Sequence, residues 1–173
     1  MTSDDSLELR RATSHDAMAV ARVHIGSWRS AYRGIVPQEF LDSLSVPRRA
    51  RTYTFDTPET DNHLTWIALD HDAVVGFVTV GKTQVAEGPP VGEVQALYVT
   101  PDRWRSGVGS ELLRQGEELL TAGGHSAAVL WVLADNSRGR SFYEAQGWSA
   151  SGEQQIVELG GSPLIEVRYQ KSL

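Results

Sequence analysis

The chain has 173 residues, of which 40 % are apolar and 22 % charged, with no cysteine and a net charge of −6. That length and balance predict a single domain with one substantial core. The acidity, with no basic stripe, argues against a nucleic-acid partner, and the missing cysteine excludes disulfides, thiolate metal sites and cysteine nucleophiles together.

The N-terminus, Met1-Thr2-Ser3-Asp4-Asp5, is acidic and lacks the apolar core of a signal peptide. No apolar run approaches the roughly 20 residues that span a bilayer, so a cytoplasmic protein without membrane contact is the expectation. Residues 7–11 alternate apolar and charged side chains and predict a short strand. Thr13 or Ser14 can cap the next helix, with His15 and Asp16 in its first turn. Ala17, Val20, Ala21, His24, Trp28, Ala31 and Tyr32 then recur at spacings of three and four, a long amphipathic helix ending near Gly34. Pro37 opens a second helix and residues 47–56, with Arg48, Arg49 and Arg51, a third. Residues 57–62 read as a loop. Residues 64–69 and 74–80 are strands joined by a tight hairpin at Asp70-His71-Asp72-Ala73. Residues 81–90 are a connection, and 91–99 form a strand that ends where Pro101 can no longer donate to a ladder. A helix follows over 107–122 and stops at Gly123-Gly124. Residues 127–133 are a nearly unbroken apolar strand, as expected inside a sheet. Asn136 can cap a helix that stops at Gly147. Trp148 begins a strand, and 154–169 read as a closing hairpin around Gly160-Gly161.

The stretch Thr100-Pro101-Asp102-Arg103-Trp104-Arg105-Ser106-Gly107-Val108-Gly109-Ser110 joins a strand to a helix through glycine. The first N–H groups of a helix have no partner within it and point into one spot, and the helix dipole favours an anion there. Glycine lets the ligand approach the backbone. The stretch therefore reads as a phosphate cradle made of peptide groups. It has no Gly-Lys-Ser or Gly-Lys-Thr, so it is not a nucleotide-triphosphatase loop, and its glycines lack the Rossmann spacing.

A second segment bears on the first. Asn136-Ser137-Arg138-Gly139-Arg140-Ser141-Phe142-Tyr143-Glu144-Ala145-Gln146-Gly147-Trp148, preceded by an apolar strand, resembles a signature of the GNAT superfamily of N-acyltransferases. The loop before it resembles that family's acyl-CoA pyrophosphate motif, (Arg/Gln)-x-x-Gly-x-(Gly/Ala), and departs from it at the first position, which is Trp104. Asp16, Trp28, Ala31, Tyr32 and Gly34 are similar to the first helices of many members. The resemblance covers about residues 7–170 of one N-acetyltransferase domain spanning 1–173. It implies an α/β (α+β) fold: a mixed, mostly antiparallel twisted sheet of about seven strands, with one βαβ crossover from strand 91–99 to strand 127–133 and helices on both faces.

The same resemblance implies transfer of an acetyl or other acyl group from acyl-CoA to the primary amine of a small molecule or peptide. The diphosphate is expected on the amides of Trp104, Arg105, Ser106, Gly107, Val108, Gly109 and Ser110, with Arg103 and Arg105 able to meet its charge. The pantetheine arm is expected along the edge of 91–99, where a backbone N–H among Leu97, Tyr98 and Val99 polarises the thioester carbonyl. Asn136 is a further CoA contact, a helix cap, or both. A lysine-like amine has a pKa of about 10.4 and must lose a proton before it attacks. Glu93 is the candidate base, with Glu158 and Glu166 as rivals, its facing left open by any bulge in the strand. Tyr143 is the candidate acid for the departing thiolate, and would otherwise be a core aromatic. Without cysteine no acetyl-cysteine forms, so attack is direct within a ternary complex. The resemblance places the acceptor pocket between the first two helices, the strand 91–99 side and the last hairpin. Trp28, Tyr32 and Trp148 are candidates to line it, although the periodicity of Trp28 and Tyr32 also fits a core face. His24 reads as a hydrogen-bonded core residue, and the histidines show no metal-ligand spacing, so no metal is expected. A non-catalytic acyl-CoA sensor and a protein N-terminal acetyltransferase are the alternatives, and the last hairpin is a candidate to pair across a homodimer.

Overall fold

The computed structural model describes residues 7–56, 63–83 and 91–173. The loop expected at 57–62, most of the connection expected at 81–90 and the acidic N-terminus lie outside those residues. Strand β1 (Glu8–Arg11) leads through a 3-10 turn to helices α1 (Ala17–Ala31), α2 (Gln38–Ser43) and α3 (Val46–Ala50). Strands β2 (His63–Asp70), β3 (Ala73–Lys82) and β4 (Val91–Val99) follow. Then come α4 (Val108–Ala122), β5 (Ala127–Leu133), α5 (Ser137–Ala145), β6 (Ser149–Leu159) and β7 (Ser162–Ser172). Among the described residues the strands form one seven-stranded sheet in the order β1-β2-β3-β4-β5-β7-β6. Only β4 and β5 pair in parallel, which is the expected crossover through α4.

Side-chain alternation along the strands divides the core between two faces. Val78, Val80 and Val94 pack on Val108, Leu112, Leu113 and Leu120 of α4. Phe77, Ile67 and Leu69 point the other way, onto Val20 and Val23 of α1. The β2–β3 hairpin turns through His71 and Asp72 at φ 47° and 67°, the two left-handed residues that a tight hairpin with right-handed strand twist requires.

One irregularity decides which side chains reach which face. In the β3–β4 ladder Val80 is opposite Val94, but Thr79 is opposite Ala96, so Gln95 is an extra residue on β4. Before it, Val94 faces α4. After it, Leu97 and Val99 pack into that same α4-side core, while Ala96 and Tyr98 pack on the α1 side. Glu93, one residue before Val94, therefore shares the α1 face with Tyr98.

Helix α1 is fixed at its start by Asp16. Its carboxylate takes two 2.9 Å hydrogen bonds from the Arg10 guanidinium and one of 2.8 Å from the Thr13 amide. The Arg10 hydrogen bond, helped by those of Thr13 and opposed by burial, lowers its pKa to about 2.

Trp148 is 2 % exposed in the main core cluster. Its indole Nε1 donates to Glu117 Oε1 at 2.9 Å, and Lys171 Nζ donates to the same carboxylate at 2.8 Å. The expectation that Trp148 lines a pocket is thus corrected. The turn at Gly147, at φ 84°, starts β6 with this ring directed inward.

Two outcomes test these contacts. Asp16→Asn should cost about 2 kcal/mol at pH 7, because a depressed carboxylate stabilises the fold above its unfolded pKa. In pH-dependent urea unfolding that difference should shrink below about pH 4 and vanish near pH 2, as the wild-type carboxyl protonates. Trp148→Phe should lower unfolding stability by about 2 kcal/mol, whereas an indole facing solvent would change it by less than about 0.5 kcal/mol.

Candidate active site

β4 and β5 are registered only at Val91–Ala127, Gly92–Ala128 and Glu93–Val129. Beyond Glu93 the two strands part. A cleft of about 520 Å³ opens there, walled by α1, the exposed half of β4, the loop before α4, the end of β5, the start of α5 and the β6–β7 hairpin. Helix α2 is not part of this wall. It packs beneath, with Leu41 fully buried and Phe40 against the Trp28 ring.

The direction of the β4 peptide groups follows from its register. Thr100 N donates to Val75 O at 2.8 Å, so the neighbouring pair Gly76–Val99 is the non-hydrogen-bonded kind. The N–H and C=O of Val99, and of Leu97 two residues earlier, therefore face away from β3. They face the cleft, since β5 has already diverged. The Val99 carbonyl is satisfied by Ser27 Oγ and Trp104 Nε1, each donating at 2.8 Å. The N–H groups of Leu97 and Val99 are left without a strand partner, as an edge that an extended ligand can join.

The loop beneath the cleft has the geometry of an anion cradle. Gly107 is the residue before α4 and stands at φ 89°, and Arg105 is held at φ 61°. Gly109 lies under Phe142, whose ring carbons would stand 3.4 Å from an added Cβ, so α5 closes tightly over the first turn of α4. Of the expected loop residues, Arg103, Trp104, Arg105, Gly107, Gly109 and Ser110 border the cleft. Val108 does not; its side chain is buried in the core at 6 % exposure. The Ser106 hydroxyl turns back to donate to Arg103 O at 2.6 Å. Both retain only a main-chain N–H to offer. The Arg103 guanidinium is ion-paired with Asp70.

Glu93 and Tyr143 face the same cleft. Burial raises the Glu93 carboxyl above the usual carboxylate range; Arg168 and His63 oppose this and Glu166 reinforces it. Burial raises the Tyr143 phenol well above its ordinary value, so it keeps its proton at neutral pH. Of the rival carboxylates, Glu166 lies on the cleft wall, accepting from Gln155 Nε2 at 2.7 Å. Glu158 is an exposed residue of the hairpin, away from that wall. Trp28 and Tyr32 line the cleft and also form part of an apolar cluster, their rings packed edge to face at 5.0 Å.

His24 is 7 % exposed, with Nδ1 2.9 Å from the Tyr53 hydroxyl and its ring stacked on Tyr98. Burial, with Arg49 nearby, lowers its pKa to about 3, so it is a neutral core group. Asn136 does cap α5, its Oδ1 accepting from Gly139 N at 3.0 Å, and it also borders the cleft. Arg138 was not anticipated. Its guanidinium carbon lies 3.4 Å from the centroid of the Trp104 ring, on the cleft wall. The available signal was electrostatic, since a cation in the first turn of a helix opposes the dipole and calls for an anion. Among the described residues no group of His, Cys, Asp or Glu is arranged to hold a metal. No helix of the described residues is long and apolar enough to cross a membrane.

The model of the acetyltransferase (GNAT) family matches residues 28–148. The chain is 30% identical to the uncharacterized N-acetyltransferase YuaI of Bacillus subtilis over 162 residues, 92% of this chain and 89% of that one. It is 23% identical to a spermidine N(1)-acetyltransferase of Thermoplasma acidophilum, over 95% of this chain and 99% of that one. Among solved structures it superposes on the PaiA N-acetyltransferase of Thermoplasma acidophilum in complex with coenzyme A. That match has a TM-score of 0.72 at 22% identity, covering 97% of this chain and 99% of the other. With the family model spanning the cleft, the loop and α5, and a relative of that class aligned over nearly its whole length, the chain belongs to the acetyltransferase (GNAT) family.

Proposed function

We propose that this enzyme transfers an acetyl group from acetyl-CoA directly to a primary amine of a small molecule or peptide. The observation that carries the reading is the pair of strand N–H groups, at Leu97 and Val99, left open beside Glu93 and Tyr143. The residues fit acyl-CoA: a glycine loop with open amides at 105–110 suits its diphosphate, the Trp104 N–H being taken by Pro101 O at 3.3 Å, and the unpaired edge of β4 suits its amide-bearing arm. Asn136 borders the same path. A relative acting on spermidine agrees with an amine acceptor.

When bound, acyl-CoA supplies the activated thioester acyl group. The N–H of Leu97 or Val99 is aimed where a carbonyl oxygen gathers charge, and is already oriented by the sheet. Glu93 takes the proton that the amine must lose, directly or through one water. Its raised pKa brings it nearer that of the amine, which improves it as a base. Tyr143 gives its phenolic proton to the sulfur as the C–S bond breaks and the C–N bond forms. Trp28 and Tyr32 form the apolar side of the acceptor end and exclude water from it. With no cysteine in the chain, both reactants must be held together, and proximity supplies much of the rate.

Release of free thiol from acetyl-CoA across a panel of amines tests the reading. Turnover with at least one amine is expected. Tight CoA binding without turnover on any would favour an acyl-CoA sensor instead, and turnover only on peptide α-amines would favour protein N-terminal acetylation. Glu93→Gln should lower kcat by about 10²-fold or more, and should remove the rise in rate that wild type shows as pH climbs through the raised Glu93 pKa. Tyr143→Phe should lower kcat while leaving the KM for acetyl-CoA nearly unchanged. Wild-type kcat in both variants would overturn the two assignments.

A further inference from the structure

Where related loops carry arginine or glutamine, this chain has Trp104, and a guanidinium from a different element stands over that ring. Arg138 lies in the first turn of α5, where no acidic residue offsets the helix dipole. Partial burial pushes the pKa of its guanidinium down. Its contact is the Trp104 face, 3.4 Å from guanidinium carbon to ring centroid, within the range of a strong cation–π pair. The ring cannot swing away freely, because its Nε1 is tied to the Val99 carbonyl at 2.8 Å. Gly109, in the first turn of α4, lies against Phe142 of α5. The Arg138 guanidinium, Gly107 and Gly109 line the same cleft. Arg103, by contrast, is committed to Asp70.

We infer that Trp104 and Arg138 act as one unit, in which the indole presents the Arg138 guanidinium as an anchor for the diphosphate of acyl-CoA. The inference rests on the acyl-CoA reading above. Arg138 is the binding residue and Trp104 a positioning residue acting through it. The charge that the loop's first position would supply in cis comes instead from the neighbouring helix. Guanidinium suits the task because its planar fork both stacks on the ring and binds phosphate oxygens.

Calorimetric titration with CoA and with dephospho-CoA tests this in wild type, R138Q, W104F, W104L and the W104L/R138Q double variant. Arg138 is exposed, so R138Q should keep the wild-type melting temperature. It should weaken both ligands about 10- to 100-fold, as expected for loss of charge-assisted hydrogen bonds. W104F keeps an aromatic face and should bind more tightly than W104L. The double variant should bind within about twofold of R138Q, because the ring has nothing left to position. Unchanged affinity in R138Q would overturn the anchor. Weakened CoA with unchanged dephospho-CoA would reassign Arg138 to the 3′-phosphate and overturn the diphosphate claim. Equal losses for W104L in the wild-type and R138Q backgrounds would overturn the coupling. Failure of wild type to bind either ligand would instead defeat the acyl-CoA reading itself.

Discussion

A strand amide that leaves its sheet has to be met by something else, and in this protein two of them are left open by design of the ladder. β4 stays with β5 only as far as Glu93, yet α4 joins the two strands and fixes how far they can part. The cleft is the space between them. Its floor is peptide, and its position is set by the packing of Leu112 and Leu120 beneath β3 and β4 rather than by any residue lining it. Core packing and site geometry are consequently the same problem here.

The extra residue at Gln95 has a comparable reach. In a regular β4, Glu93 and Tyr98, five residues apart, would lie on opposite faces, because strand side chains alternate; the extra residue puts them on the same face. The bulge changes which side of the sheet Val94 and Ala96 each face, so the α4 side receives Val94, Leu97 and Val99 in spite of their uneven spacing. The carboxylate is thereby placed on the α1 face of the sheet, with the ring of Tyr98.

Much of this was legible in the sequence. Period-two and period-3.6 patterns mark the strands and helices, and the glycines at 107 and 109 mark the loop. What was not legible depends on pairing. The facing of Glu93 is decided by the partner register on β3, which a single strand does not encode. Trp148 follows Gly147 and reads equally well as a wall of a pocket or as core. Only the placement of Glu117 and Lys171, distant in sequence, decides between these. Arg138 carries its signal in a repulsion, a cation at a helix start, which motif matching does not weigh. Trp104 looked like a defect of the loop because its partner lies on another helix.

The Val99 carbonyl accepts from Ser27 of α1 and from Trp104 of the loop, so both of its lone pairs are occupied. One oxygen thus joins helix α1 to the loop before α4, both of which wall the cleft. Anything that stiffens one of these segments lowers the entropy still to be lost by the other. By linkage, a ligand that ordered α1 would favour one that ordered the loop, and the reverse by the same factor. The two segments share a main-chain oxygen that no side-chain substitution at position 99 removes.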